Sequence, residues 1–473
     1  MEKTNKKALF IFRRDLRLED NLALLAALEE SEQVVPVFIF DDRQIDRTRN
    51  DFFSSPALYF MLNSLKELSE ALENRKSKLN FFHGQPEEVV ASLIEKDGID
   101  AVYVNKDYTP FARKRDGSIN DVCEKAKVIF NRFNDVALAP LEDIRTGEDK
   151  IYTVFTPFMK KAMLSEVPEP RKNNFDNYSK EKLNTTDVSL SEYLLPRNQD
   201  YILHGGRAEG LEILNNNQYL KGYKERRNLP ADTSGTSKLS AHHKFGTISV
   251  RESYHMAKDN AGAHSHFISE LYWRDFYFYI SYHFPVVFKK SFLPWAKNLE
   301  WVNDKDQFKA WCEGMTGVPM VDAGMRELNK TGWMHNRSRM IVASYLTKNL
   351  LVNWQWGEKY FAQKLIDYDP SQNNGGWQWS ASTGADPRPL RIFNPYTQAV
   401  NYDKEAEYIK TWIPELKNVD EKYLTDGKTQ DFSELGENYP APLVDQKMSY
   451  HRTMETYKKA KEAYKNEIIE TNS

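Results

Sequence analysis

At 473 residues the chain is longer than one ordinary hydrophobic core supports, and two domains with a connector are expected. Hydrophobic residues make up 40% and charged residues 28%, which excludes a fibrous or disordered chain, and no apolar run approaches the roughly 18 residues of a membrane span. The net charge of -3 excludes a uniformly basic nucleic-acid binder, so contact with nucleic acid needs a locally basic face. Cys123 and Cys312 are too few for a disulfide framework or a zinc cluster and suit a reducing cytoplasm. In MEKTNKKALFIF the apolar stretch is broken at once by Arg13, Arg14 and Asp15, so no secretory signal is expected.

The first third alternates strand-like and helix-like stretches. Residues 8–12 form a short apolar run, followed by the charged turn RRDLRLED. Residues 22–28 have helical spacing, and 34–40 (VVPVFIF) read as a second buried strand. An amphipathic helix follows over 55–72, a strand over 79–82, a helix over 86–95 and a strand over 101–104. This alternation predicts a doubly wound parallel sheet, with ligands beyond the carboxyl ends of its strands. No GxGxxG follows the first strand, which removes a standard dinucleotide site. Over 141–197 the periodicity weakens, and VPEPRKNNFDNYSKEKLNTTDVS reads as a connector on the surface. From Gly205 the spacing is helical, with helices over 267–284 and 337–351. The expected organisation is an α/β domain over 1–135, a connector over 136–204 and a larger all-helical domain over 205–473.

Four stretches carry candidate chemistry. In HFISELYWRDFYFYI, Glu270, Trp273, Arg274 and Tyr277 share one helix face at i, i+3, i+4 and i+7. A carboxylate beside an indole suits a pocket that stacks on a base and hydrogen-bonds it, although ordinary core packing uses the same spacing. Between Leu328 and Gly357 stand Lys330, Arg337, Arg339 and Lys348 with no acid, while Asn336 and Met340 share a face. That composition fits contact with a nucleic-acid backbone, or else a solvated basic face. In LIDYDPSQNNGGWQWSASTGADPRPLRIFNP the glycines either let backbone approach a planar ligand or form a type I′ turn; Asn373 and the two aspartates offer polar partners for a ring. In LKGYKERRNLPADTSGTSKLSAHHKFG, Gly235, Thr236, Ser237 and Ser240 make either a phosphate cradle or a cluster of helix-capping hydroxyls. His242, His243, His264 and His266 lack the flanking carboxylates or thiolates of a metal site, and no Ser-His-Asp order is present.

In this order, these stretches resemble the photolyase/cryptochrome family, from FRRDLRLEDN to YPAPLVDQK, most specifically in TGWMHNRSRMIVASYLTK and NNGGWQWSASTGADPRPLRIFNP. The resemblance implies an amino-terminal antenna domain and a helical domain that holds a folded FAD, active in its reduced form. By the same resemblance Tyr223 and the loop residues Thr236, Ser237, Leu239 and Ser240 hold the diphosphate. Asp367 pairs with Arg339 near the isoalloxazine, Asp369 contacts its ring edge, and Asn373 faces N5, where plant photoreceptor cryptochromes usually carry an aspartate. Asn336 and Met340 stand where enzymes that repair the 6-4 photoproduct carry histidines able to act as general acids. With Glu270, Trp273 and Trp379 they match the class I enzymes that split cyclobutane pyrimidine dimers in UV-damaged DNA by light-driven electron transfer. Glu270 is then expected to hydrogen-bond the flipped pyrimidines and stabilise their radical anion, Trp273 and Trp379 to wall the pocket, and Arg227 and Arg391 to hold phosphates. Trp377, Trp354 and Trp301 match the chain that reduces oxidised flavin, and core packing is compatible with that role.

A photosensor without repair is the competing expectation, disfavoured because the chain ends soon after HRTMETYKKAKEAYKNEII. Members that bind folate carry an Asn-Glu-type pair after the strand matching 101–104. KDYTPFARKRD stands here, and with VVPVFIFDDRQ it is closer to members whose antenna is 8-hydroxy-deazaflavin or a flavin, so 8-hydroxy-deazaflavin or no tightly bound antenna is expected. A monomer is the simplest expectation, because lesion binding needs one site.

Overall fold

The computed structural model describes residues 3–196, 198–387, 390–425, 435–436 and 438–472; Arg388 and Pro389 of the GADPRPL stretch lie outside the described residues. Among these, β1 (Asn5–Phe12), β2 (Ser31–Phe40), β3 (Asn80–His83), β4 (Ala101–Asn105) and β5 (Ile129–Phe133) form one parallel sheet in the order β3-β2-β1-β4-β5. The chain builds outward from β1 to β3 and then crosses to β4, so the topological switch point lies between β1 and β4. Register is set along β1, where Asn5 lies opposite Ser31 and Phe12 opposite Phe38.

The helices α1 (Leu22–Glu30), α2 (Ser55–Asn74), α3 (Pro86–Asp97) and α4 (Pro110–Ala126) follow the strands. Ala8, Phe10 and Phe12 pack with α1 and α2, whereas Leu9 and Ile11 pack with α3 and α4. Both faces of β1 are therefore apolar, which is why 8–12 reads as a continuous run rather than an alternation. Asn21, Ser54 and Thr109 cap α1, α2 and α4 with their side chains, each accepting from a backbone N–H. The sequence pattern hides α4 and β5. PFARKRDGSINDVCEKA is strongly charged and interrupted by Gly117, and β5 is an edge strand with Ile129 55% exposed.

Residues 136–204 do more than cross the surface. Tyr178 and Val188 form single bridges to Val34 and Phe81, so this stretch returns to the sheet. Upstream, α5 (Phe155–Ala162) sends Phe155 and Phe158 into the helical core beside Phe276. The polar residues between these anchors masked them in the sequence. The two domains also share a buried ionic network, in which Arg17 pairs with Asp135 at 2.7 Å and Arg251 pairs with Asp135 at 2.6 Å and Asp20 at 2.9 Å. Every member has a partner of opposite charge, as burial requires.

The site is built by α6 (Ser240–Phe245), α7 (Val250–Ala261), α8 (His266–His283), α9 (Asn336–Ser344), α10 (Trp354–Lys364), α11 (Pro370–Ser380) and α12 (Gln446–Asn472). Two expectations change here. The helix expected over 337–351 ends at Ser344 and continues as a π-helical turn over Tyr345–Asn349. The Asn-Asn-Gly-Gly run is not a turn but lies inside α11. Asp369 Oδ1 accepts from the N–H groups of Ser371 (2.9 Å) and Gln372 (3.1 Å), and Pro370 follows as a pre-set first residue, so the cap overrides the weak propensity of two glycines. No helix among the described residues is long and apolar enough to cross a membrane.

Candidate active site

A cavity of about 510 Å³ opens among α8, α9, α11 and the loop that precedes α6, a size typical of cofactor sites. The loop contributes Ser237, Leu239 and Ser240, with Tyr223 nearby on the wall. Arg339, Asp367, Asp369 and Asn373 line it as well, as do Arg227, Glu270, Trp273 and Trp379. Asn336, Met340 and Trp377 complete the set of expected residues that meet there. Thr236 does not line this cavity. Arg391 lines a neighbouring one of about 550 Å³, which shares Met340, Trp379 and Ser380 with the first.

Helical spacing explains how α8 serves the wall: positions 270, 273, 274 and 277 fall on one stripe. The Glu270 carboxylate accepts from Arg227 Nη1; burial raises the pKa of this carboxyl, and Arg227 opposes the rise. Trp273 is held flat by Phe155, with ring centroids 3.7 Å apart and planes 10° from parallel. Gly375 of α11 packs directly on Tyr277, since a Cβ there would lie 2.0 Å from Cδ1 of that ring. The next residue, Gly376, lines the cavity, and a Cβ there would meet nothing within 4 Å. The pair therefore separates two uses of glycine, helix contact and open space for a flat ligand.

Arg339 Nη2 meets Asp367 Oδ2 at 2.8 Å, and its Nε donates to the Met334 carbonyl at 2.8 Å. The other carboxylate oxygen, Asp367 Oδ1, is buried with no hydrogen-bond partner among the described residues. A buried acceptor left open on a cavity wall calls for a donor from a ligand. Asn373 donates from Nδ2 to the Glu358 carbonyl at 2.9 Å, which fixes its amide plane. Asp369 is more heavily used by the fold than the sequence suggests, because Oδ1 caps α11 while Oδ2 pairs with Arg14 from the turn after β1. Arg14 had no role in the sequence reading, although the charges of RRDLRLED directly after a buried strand were its signal.

Trp377 and Trp354 are each 2% exposed, and Trp301 is half-buried against the same hydrophobic cluster. The rings beside Trp377 are Phe361 at 4.9 Å and Trp311 at 6.0 Å. Trp311, fully buried and bonded through Nε1 to the Val342 carbonyl at 3.0 Å, was not anticipated, because nothing in its local spacing distinguishes it from core. The basic stretch 330–348 is not one exposed face. Arg339 is paired with Asp367, Arg337 lies 4.1 Å over the Tyr402 ring, and Lys348 is buried. His242 and His243 bond to Thr247 and Ser253, each at 2.8 Å, as structural residues.

A third cavity, of about 460 Å³, sits at the carboxyl ends of β1, β2 and β4, where the switch point predicts one. Arg13, Asp41 and Arg43 line it, with Asp107, Phe111 and Arg115 from KDYTPFARKRD. Lys244 and Tyr368 line both this cavity and the 510 Å³ one.

Residues 8–172 match the family model described as DNA photolyase, and residues 267–459 match that of the FAD binding domain of DNA photolyase. The deoxyribodipyrimidine photo-lyase of Synechococcus sp. is 36% identical, covering 96% of this chain and 97% of that one. The chain belongs to the DNA photolyase family. Among solved structures, the archaeal photolyase from Sulfolobus tokodaii with two FAD molecules is 40% identical, with a TM-score of 0.86 over 96% of this chain and all of that one (100%). The bacterial class III photolyase from Agrobacterium tumefaciens is 32% identical, with a TM-score of 0.89 over 98% of this chain and 99% of the other. In this photolyase the walls supplied by α8, α9 and α11 all fall inside the matched FAD-binding span. The open Asp367 Oδ1 and the bare surface of Gly376 fit a planar ring carrying an N–H group.

Proposed function

We propose that this photolyase is a class I deoxyribodipyrimidine photo-lyase that splits cyclobutane pyrimidine dimers in UV-damaged DNA. The observation that carries this reading is that Glu270, Trp273, Asn336, Met340 and Trp379 line the same cavity as the candidate FAD residues. Bound and reduced, FAD supplies the light-excited electron for ring splitting. Arg339, Asp367, Asp369 and Asn373 hold its ring, and Tyr223 with Ser237, Leu239 and Ser240 holds its diphosphate, whereas Thr236 stands outside the cavity lining. Trp273, fixed by Phe155, stacks against the flipped lesion opposite Trp379. Glu270, whose carboxyl pKa burial raises against the pull of Arg227, hydrogen-bonds the flipped pyrimidines and stabilises the negative charge that develops there. Asn336 and Met340 have no proton to give at neutral pH, so the pocket lacks the general acid that 6-4 repair uses. Arg227 and Arg391 take phosphates beside the lesion, and Trp377, Trp354 and Trp301 carry electrons inward to oxidised flavin.

The 460 Å³ cavity is the proposed antenna site, for 8-hydroxy-deazaflavin or a flavin rather than folate, because KDYTPFARKRD and FDDRQ both contribute to its wall. We propose the domain division 1–135, 136–204 and 205–473, a monomer, and a cytoplasmic location. The substrate assignment is tested by equilibrium binding in the dark, comparing oligonucleotides with one cyclobutane dimer, one 6-4 lesion or no damage. At least tenfold preference for the cyclobutane dimer is expected; preference for the 6-4 lesion overturns the assignment of Asn336 and Met340.

A further inference from the structure

We infer that Lys348 is a positioning residue for lesion binding, a buried ammonium that fastens Ser382 and Arg391 at the wall of the cavity beside Met340 and Trp379. The inference rests on the reading of this chain as a dimer-splitting photolyase. It begins with the backbone. α9 gives way to a π turn at Tyr345–Asn349, a rare conformation that occurs mostly at functional sites. Residues four apart on an α-helix drift by about 40° around its axis, and the wider π turn reverses part of that drift. Met340, Ser344 and Lys348 accordingly line the same 550 Å³ cavity. The carbonyls of this turn are held from behind by α12, where Thr453 Oγ1 donates to the Lys348 carbonyl and Arg452 Nη2 donates to that of Asn349 at 2.5 Å.

The Lys348 side chain is the second observation. The residue is 3% exposed, and no carboxylate forms an ion pair with it among the described residues. Its Nζ donates to Ser382 Oγ at 2.9 Å and to the Arg391 carbonyl, two positions nine residues apart in sequence. A buried ammonium without a counterion is unfavourable unless its donors are used, and here two of three hold the segment that carries Arg391. Burial, with Arg391 nearby, pushes Lys348 down to about 7. The other charged groups around it are Arg391 and Asp386, which line the cavity, and Arg452 on α12.

Two cations on one wall suit a phosphodiester of the damaged strand, and that anion favours the charged form of Lys348. Binding therefore takes up a proton near neutrality. In the free protein Lys348 is charged below about pH 7 and loses its charge as the pH rises through that value, so lesion affinity falls from pH 6 to pH 8.5.

The test uses FAD-loaded full-length protein, a duplex with one thymine cyclobutane dimer, and Kd measured in the dark across that pH range. Repair yield per bound lesion at saturating DNA is measured in parallel. Lys348→Met is expected to weaken binding about tenfold at pH 6.5 and to flatten the pH profile, with the loss in Kd and not in yield per bound lesion. Lys348→Gln, which keeps hydrogen-bond donors without the charge, recovers part of the affinity but not the pH profile. Full affinity with the wild-type profile in Lys348→Met overturns the inference, as does a flat profile in the unmodified protein, which needs no variant to fold. A loss confined to flavin content or yield shows a structural role and also overturns it. If the unmodified protein does not prefer the dimer, the functional reading itself has failed and the inference falls with it.

Discussion

Glu270 stands between two pulls, since burial favours its proton and Arg227 favours its charge. Removing the side chain tests which atoms matter. Glu270→Ala is expected to cost about 1.5–3 kcal/mol of lesion affinity, the value of a hydrogen bond involving a charged group, while FAD stays bound; Kd for the dimer and flavin absorbance report the two separately. Glu270→Gln retains a donor and an acceptor and loses less. Trp301→Phe is expected to slow photoreduction of oxidised flavin and to spare repair by pre-reduced enzyme, as read by flavin bleaching under blue light; unchanged photoreduction removes Trp301 from the chain. At this scale the sequence is informative where a helix face carries the pattern, as for Glu270, Trp273 and Tyr277. It is silent where one side chain serves two partners, as Asp369 does with the cap of α11 and Arg14.

At the scale of elements, the two glycines of α11 make opposite predictions. Gly375→Ala places a methyl inside the Tyr277 ring and is expected to destabilise the fold by about 1–3 kcal/mol, the usual range for overpacking. Gly376→Ala meets no protein atom, so thermal stability is retained while FAD affinity falls, because the methyl enters the cavity. Thermal melts with and without added FAD separate the two, and equal losses of stability contradict this account. The turn reading of Asn-Asn-Gly-Gly failed because local propensity was weighed without the Asp369-Pro370 cap. The π turn after α9 has no signature in the sequence, since the apolar spacing of 337–351 fits an unbroken helix equally well. Phe155 was hidden for a different reason: its partner Trp273 lies more than a hundred residues away, beyond any local pattern.

For the whole molecule, the succession of an α/β domain and a helical one and the positions of four of the five strands were legible, because buried parallel strands and amphipathic helices repeat strong patterns; the order of the strands in the sheet was not read from the sequence. The joints between domains were not. Arg17, Asp20, Asp135 and Arg251 are scattered charges in sequence and one buried network in space. Arg251→Leu leaves Asp20 and Asp135 short of a cation and is expected to cost about 3–5 kcal/mol of stability, measured by denaturant unfolding. A cost below 1 kcal/mol would mean that the network is not shielded from solvent.

The measurement closest to the central claim follows one cyclobutane thymine dimer in an oligonucleotide, with anaerobic, chemically reduced protein, under blue light and in darkness. Chromatography is expected to show conversion to intact thymines in the light alone, with a 6-4 lesion left unchanged. Persistence of the dimer under light, with FAD bound and reduced, would contradict the account.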